Sequence, residues 1–596
     1  MRMPEFSFPR IAAAALALGV AAAGCGGSDG GTDPVDPVDP IIATRLAFEV
    51  QPTAATAGSP ITPAIQVRAV DADGRVATSF AGSVTLSLGP GSSGATLSGT
   101  FTAAAVAGVA TFADLRIERS GEGYTLIAAS GSLTSATSTA FTVAPGNPSK
   151  LVVTQQPTDV EAMQPIDTTV QVAVQDAYGN LVSNATNSVT LALETNTWGA
   201  TLSGGAAQPA VNGVATFGDL RADRPGPGYT LRATGDALEA ATSDPFAVSV
   251  SFVAVSAGST HTCGVTNAGL AYCWGSNSTG QLGDGTGQNS LTPALVSGGY
   301  TWVSVRAGNG HTCGSTGGKA YCWGLGGNGQ LGSGGSQNTL IPTEVTSLFF
   351  AEGGVAAVDA GGRHSCGVAG SGTALCWGLN QYGALGNGTL SPATRPVPVV
   401  GGLSFAALSA GALHTCGLTP GAFVYCWGRN QFGQLGDGSV VDRPEATLIL
   451  GVTREVTTGS AHSCALPLST NDIYCWGNND SGQIGDGTRG INRTSPKYVG
   501  SNFSAVTAGG LHTCALGLDR RAYCWGSAPL GDGTNTDRPT PTPVQGTLRF
   551  NTLSAGGLHT CGVTTSGEVY CWGSNADGQL GDNSTLNALA PTRVIH

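Results

Sequence analysis

Seven His-x-Cys triplets supply the side chains in this chain best suited to bind a metal, attack a substrate or form a cross-link. They begin at His261, His311, His364, His414, His462, His512 and His559, spaced 47 to 53 residues apart. Their cysteines are Cys263, Cys313, Cys366, Cys416, Cys464, Cys514 and Cys561. Nine to eleven residues on comes a second set, Cys273, Cys322, Cys376, Cys426, Cys475, Cys524 and Cys571, each followed by Trp-Gly. Three chemistries compete. A histidine and a cysteine two apart on a strand share a face, and the second cysteine could complete three zinc ligands, although structural zinc normally takes four. A Cys–His nucleophile needs one singular constellation, which seven equivalent copies do not provide. The third reading is a cross-strand disulfide. Cys263 and Cys273 centre on Ala268, inside the turn Thr266-Asn267-Ala268-Gly269, and Cys313 and Cys322 centre on Gly317-Gly318, so a change in loop length leaves the sulfurs opposed. Directly paired strand residues lie ~4.5–5.5 Å apart at Cα, within disulfide reach. Disulfides are the expectation, with zinc or buried free thiols as alternatives. The histidines are then expected to bridge neighbouring units through a ring N–H to a backbone carbonyl.

These residues must be held by a repeated element. From about residue 250 the chain recurs every ~50 residues, which marks a solenoid or propeller. Each unit carries about four short strand candidates, V-x-A-G, H-T-C-G-V, A-Y-C-W-G and P-x-x-V, so seven units predict a closed seven-bladed β-propeller over 250–596. Each tryptophan follows a cysteine and must point to the opposite sheet face, between blades. The motif A-G-x-x-H-T-C…Y-C-W-G-x-N-x-x-G-Q-L-G-D-G resembles the RCC1 (regulator of chromosome condensation) repeat family in all seven units. Two units depart from it. The sixth is three residues shorter between Trp525 and Leu530 and lacks N-x-x-G-Q, and the third carries Ala384 where the others have Gln. Asp284, Asp437, Asp486, Asp532 and Asp582 are expected to cap their own turns rather than bind Ca²⁺.

Composition agrees with this class. Of 596 residues, 91 are glycine and 31 proline, charged residues are only 11%, and the net charge is −12. That balance excludes helical bundles and argues against a nucleic-acid binder, which would show a basic face. The fold class is all-β. Residues 44–147 and 148–249 repeat one another at a constant offset of 105: Gln51-Pro52-Thr53 recurs as Gln156-Pro157-Thr158, and Gly123-Tyr124-Thr125-Leu126 as Gly228-Tyr229-Thr230-Leu231. Alternating Ile65, Val67 and Ala69 have the period of a half-buried strand. Two immunoglobulin-like sandwiches are expected. The phrases DADGRV, DAYGNL and GVATFxDLR resemble the bacterial Ig-like domains of invasin- and intimin-type surface proteins, where such domains are mostly stalk. Asp71 and Asp176 open turns and are expected to cap them.

Residues 1–24 read as an export signal, with Arg2 and Arg10 before an apolar stretch from Ile11 to Ala23. Ala22-Ala23-Gly24-Cys25 resembles the bacterial lipobox, with Ala22 in place of the usual leucine. The resemblance implies lipidation of Cys25 and, since Gly26 follows and no aspartate does, outer-membrane sorting in a Gram-negative envelope. Export also suits disulfides. Residues 25–43 hold a Pro/Gly/Asp spacer too polar to build a core.

Lipid, spacer, two Ig-like domains and propeller together predict a monomeric, surface-anchored, non-catalytic lipoprotein. It needs no metal or cofactor, touches the membrane only through its lipid, and binds a protein or glycan at the propeller but no nucleic acid. An enzyme inhibitor acting through one propeller face and a purely structural envelope protein are the alternatives. The nucleotide-exchange and chromatin roles of the best-known eukaryotic relative are not carried over, because export and acidity oppose them. Tyr382 and Phe432 occupy one register in neighbouring blades and are the candidate binding residues, as an exposed aromatic patch. Phe349 and Phe350 are a weaker pair.

Overall fold

The structure is a computed structural model describing residues 41–596 except 93, 198, 348, 349, 351, 352 and 596. Cys25, the export signal, most of the spacer and Phe349 therefore lie outside the described residues. The chain forms two compact units, one ending at Pro145 and the other running from Gly146 to His596.

In the first unit, Arg45–Val50, Ile65–Val70 and Val109–Phe112 form one antiparallel sheet, and Ser83–Leu88 pairs with Leu126–Ala129 in another. Period-2 alternation places Ile65, Val67 and Ala69 inward, against Val84, Leu86, Phe112 and Leu126. Asp71 caps its turn, its Oδ1 accepting the N–H groups of Asp73 and Arg75 at 3.0 and 2.8 Å.

The second unit opens with the same arrangement, Lys150–Gln155 pairing with Val170–Gln175 and that strand with Val214–Phe217. Asp176 repeats the cap on Tyr178 and Asn180, both at 2.9 Å. The last strand of this copy, Phe246–Ser249, is followed almost at once by Phe252–Ala257 of the next sheet. The core continues across that junction. Val248 and Val250 share one cluster with Phe252, Tyr272 and Trp274, and the Phe252 ring meets those of Tyr272 and Trp274 at 6.1 and 5.9 Å.

Seven four-stranded antiparallel sheets follow, over residues 252–295, 304–344, 355–398, 407–450, 453–500, 503–543 and 550–593, with strands paired in chain order. The two middle strands of each are buried along nearly their whole length, as in His261–Thr266 and Ala271–Gly275, because a neighbouring sheet covers each face. The last sheet closes on the first: Ala257 donates its N–H to Ser554 Oγ at 2.9 Å, and Gly557 to the Gly258 carbonyl at 2.9 Å. A closed ring leaves no sheet face uncovered between neighbours, which lets strands this short be stable.

Candidate functional site

Strand alternation fixes which way each repeated side chain points. His261 and Cys263 face the second sheet, while Thr262 between them faces the seventh. Cys263 lies directly opposite Cys273 in the hairpin register, and the two are joined, with Cα atoms 4.0 Å apart. The same pairing holds for Cys313–Cys322, Cys366–Cys376, Cys416–Cys426, Cys464–Cys475, Cys514–Cys524 and Cys561–Cys571, at 4.1 Å. These bonds remove the thiolates that zinc ligation or nucleophilic attack would need.

The histidines do bridge neighbouring sheets, but to a hydroxyl rather than to the expected carbonyl. His261 Nε2 lies 2.8 Å from Thr312 Oγ1 of the second sheet, and Thr312 donates to the Gln281 carbonyl of the first at 2.7 Å. Trp323 Nε1 donates to that same carbonyl at 3.0 Å. With its own proton committed, the threonine oxygen can only accept, so the histidine carries its proton on Nε2. Nδ1 is left as a buried lone pair without a partner among the described residues, which costs less than an orphaned N–H. The relay recurs from His311 to Ser365, His364 to Thr415, His414 to Ser463 and His462 to Thr513, at 2.7–2.9 Å, and its first leg, without the loop carbonyl, from His512 to Thr560 at 2.7 Å. His559 to Thr262 closes the ring at 2.8 Å. Removal from water holds every ring neutral: the pKa of His261, His364 and His512 falls to about 4, and that of His311, His414, His462 and His559 to about 3.

The two sequence departures have legible consequences. Ala384 still offers its main-chain carbonyl to Thr415 and Trp427, at 3.0 and 2.9 Å, so this position needs a carbonyl and not a glutamine side chain. The shortened sixth unit supplies no such acceptor. Trp572 Nε1 is buried without a partner among the described residues, whereas Trp274 and Trp525 reach carbonyls at 3.0 Å. The seam between the sixth and seventh sheets thus lacks the loop carbonyl that the other six supply to both the hydroxyl and the tryptophan. Glycine is required where the Q-L-G turn meets the tryptophan: Gly436 has φ +84°, and a Cβ there would stand 2.6 Å from Trp476 Nε1.

The turn aspartates cap their own loops. Asp437 Oδ1 accepts from Ser439 N and Oγ at 2.9 and 2.8 Å, and its Oδ2 pairs with Arg443 at 2.8 Å. Asp486 and Asp532 are held the same way by Arg493 and Arg538, and these hydrogen bonds, opposed by burial, keep all three carboxyls below their ordinary pKa. Tyr382 and Phe432 are each only half exposed, and no ring contact joins them among the described residues. Tyr382 instead lies under the Arg429 guanidinium, 4.6 Å from its ring centre. Phe350 is buried against Trp377, ring centroids 6.2 Å apart.

A channel along the ring axis went unnoticed in the sequence. Its wider part, about 550 Å³, is lined by the innermost strand of every sheet. It tapers to about 120 Å³ where the small residues of the A-G motif converge, Ala257, Ala307, Ala360 and Ala410 among them. The residue before each of these small residues faces the channel, and in five sheets it is Ser or Thr. Ser256 accepts the Ala307 N–H at 3.0 Å and Ser409 that of Thr458 at 3.0 Å, knitting adjacent sheets. The second and third sheets break this rule with Arg306 and Asp359. Asp359 Oδ2 accepts the Ala410 N–H at 2.7 Å. Two residues earlier in the motif, Glu455 stands where Ala254, Ala407 and Ala505 line the channel as alanine. Desolvation raises both carboxyl pKa values. Reading V-x-A-G down the seven repeats as V-S, V-R, V-D, L-S, V-T, V-T and L-S would have exposed the two breaks.

A family model for an RCC1-like domain matches residues 155–501, more than half of the chain. Models of the RCC1 repeat match residues 503–529, 551–579 and 566–596. The stretch of the first match before residue 252 falls on the second N-terminal copy rather than on the ring. Among curated proteins, none matches this chain. Human WBSCR16 is similar in structure, with TM-score 0.51 and 22% identity over 55% of this chain and 94% of its own. Prp20p of Saccharomyces cerevisiae, a protein characterised for binding Gsp1p and histones, is similar at TM-score 0.50 and 22% identity over 58% of this chain and 88% of its own. At this identity the likeness establishes a shared propeller fold.

Proposed function

The chain belongs to the RCC1-like domain family, and on that premise we propose that it is a non-catalytic, lipid-anchored envelope protein whose seven-bladed propeller binds a protein or glycan partner. One observation carries the reading: every repeated Cys and His is consumed by the frame, the cysteines in hairpin disulfides and the histidines in the inter-sheet relay. The repeat therefore supplies rigidity without reactive groups, and recognition falls to loops that differ between blades. Leu390, Val440, Val441 and Ile491 follow the capped turns of three consecutive sheets and are 57, 56, 57 and 52% exposed. Apolar side chains in such numbers on neighbouring loops favour a protein partner. Prp20p, with its binding to Gsp1p and histones, is a precedent for a propeller of this fold that binds proteins, though those partners are not transferred to this acidic chain.

Export is supported by seven disulfides, which persist in oxidising compartments, and by the lipobox-like residues ending at Cys25. The Ig-like reading of the two N-terminal copies is supported by Tyr124 and Tyr229, whose hydroxyls each donate 3.0 Å to a backbone carbonyl five residues upstream, the geometry of a tyrosine corner. The test is labelled-palmitate incorporation together with affinity capture by the full chain. Incorporation lost in Cys25→Ala, with one envelope protein or glycan retained until the four loop residues become serine, is the expected result. An unlabelled chain in the cytoplasmic fraction would overturn the anchoring, and equal capture by the loop variant would overturn the assigned surface.

A further inference from the structure

The axial channel holds charges that the frame does not use. Arg306 makes no hydrogen bond and no ion pair with any described residue; its influence on Asp359 in the next sheet is through the field alone. Among the described residues Glu455 has one hydrogen bond, from the Val506 N–H at 3.4 Å, the limit of such a bond. The Arg454 side chain beside it points elsewhere, donating to the carbonyls of Phe503 and Ser504 at 3.2 Å. Arg306 belongs to the second sheet and Glu455 to the fifth, three steps apart in a ring of seven, which places them across the axis from one another. They are also offset along it by one strand repeat, about 6.6 Å. The positions corresponding to Glu455 that line the same cavity in three other sheets, Ala254, Ala407 and Ala505, carry only a methyl group.

A solvent-exposed guanidinium with no ion pair among the described residues and a half-buried carboxylate with one long hydrogen bond line the same polar cavity of about 550 Å³, a site of ligand size. We propose that the channel binds a small zwitterion, an amino acid or short peptide, with its carboxylate on Arg306 and its ammonium on Glu455. Asp359 and the channel hydroxyls border the same space. A guanidinium suits a carboxylate because its planar fork donates to both oxygens. The carboxylate of Glu455 can accept from an ammonium on the lone pairs that Val506 leaves free. The site lies inside the ring and is independent of any partner bound at the loops.

The experiment is calorimetric titration of the full chain with ω-amino acids of increasing length, from glycine to 6-aminohexanoate, and with di- and triglycine. One length should bind best, at least tenfold more tightly than hexanoate or hexylammonium, which each carry only one of the charges. Arg306→Ser and Glu455→Ala install residues already present at the same positions of sister sheets, so the ring should fold unchanged, as its melting temperature would report. Each should weaken binding at least tenfold. Three results would overturn the proposal: no saturable heat with any of these compounds, equal binding of the singly charged ones, or undiminished binding by the folded variants.

Discussion

Acid should unfold this ring well above the pH at which its carboxylates protonate. Each seam histidine is neutral in the fold, with its pKa depressed to about 3 or 4 by burial, whereas in the unfolded chain it returns to about 6.5. The unfolded state therefore binds more protons below pH 6.5, and stability falls as pH falls through the window from about 6.5 to 3. For one histidine the loss between pH 8 and pH 5 is about 2 kcal/mol. Seven such rings bring it to the order of 10 kcal/mol, comparable with the whole stability of a typical domain. Asp359 and Glu455, with raised pKa, oppose this only weakly and nearer the carboxylate range. The assay is denaturant unfolding of the oxidised protein at pH 8, 7, 6 and 5, followed by tryptophan fluorescence, since a buried tryptophan sits at every seam. The midpoint should hold from pH 8 to 7 and then fall steeply. A midpoint at pH 5 within error of that at pH 8 would refute the neutral buried relay.

Replacing Gly436 with alanine should lower stability by about 2–5 kcal/mol, from the left-handed backbone and the clash with Trp476, while Gly287→Ala, with open space around it, should leave the urea midpoint unchanged. Thr513→Val strands the His462 N–H and removes a satisfied hydroxyl, and should cost about 2 kcal/mol. Thr560→Val acts at the seam that already lacks a loop carbonyl and should cost about 1 kcal/mol less; a larger loss there would contradict the defect assigned to the sixth unit. Converting Cys514 and Cys524 together to alanine should cost about 2–3 kcal/mol, the chain-entropy value for a ~10-residue loop, read from the same denaturant curves.

Much of this frame was legible because it depends on local periodicity. The facing of Cys263 and Cys273 follows from hairpin symmetry, and the burial of Trp274 from strand alternation. The histidine partner was misjudged although its signal was present: the residue after each seam histidine is always Thr or Ser, and alternation sends it to the opposite face, where it can accept from the preceding sheet. The tryptophan left without an acceptor, Trp572, belongs to a different repeat from the shortened loop that causes it, so the defect appears only when consecutive sheets are stacked. Arg306, Asp359 and Glu455 stayed hidden for a similar reason. Their strand face is ordinary until ring closure turns seven such faces toward one axis. Tyr382 and Phe432 share a register, but a register one sheet apart does not set a distance, and Arg429 covers the first of them.

The disulfides are tested most directly by alkylating the unreduced, full-length protein and mapping its peptides by mass spectrometry, with metal content measured on the same sample. The structure requires linkages 263–273, 313–322, 366–376, 416–426, 464–475, 514–524 and 561–571, with none of these fourteen cysteines alkylated and no stoichiometric zinc. Alkylated seam cysteines, linkages between different sheets, or bound zinc would contradict a frame in which the repeated cysteines and histidines serve only to hold the ring together.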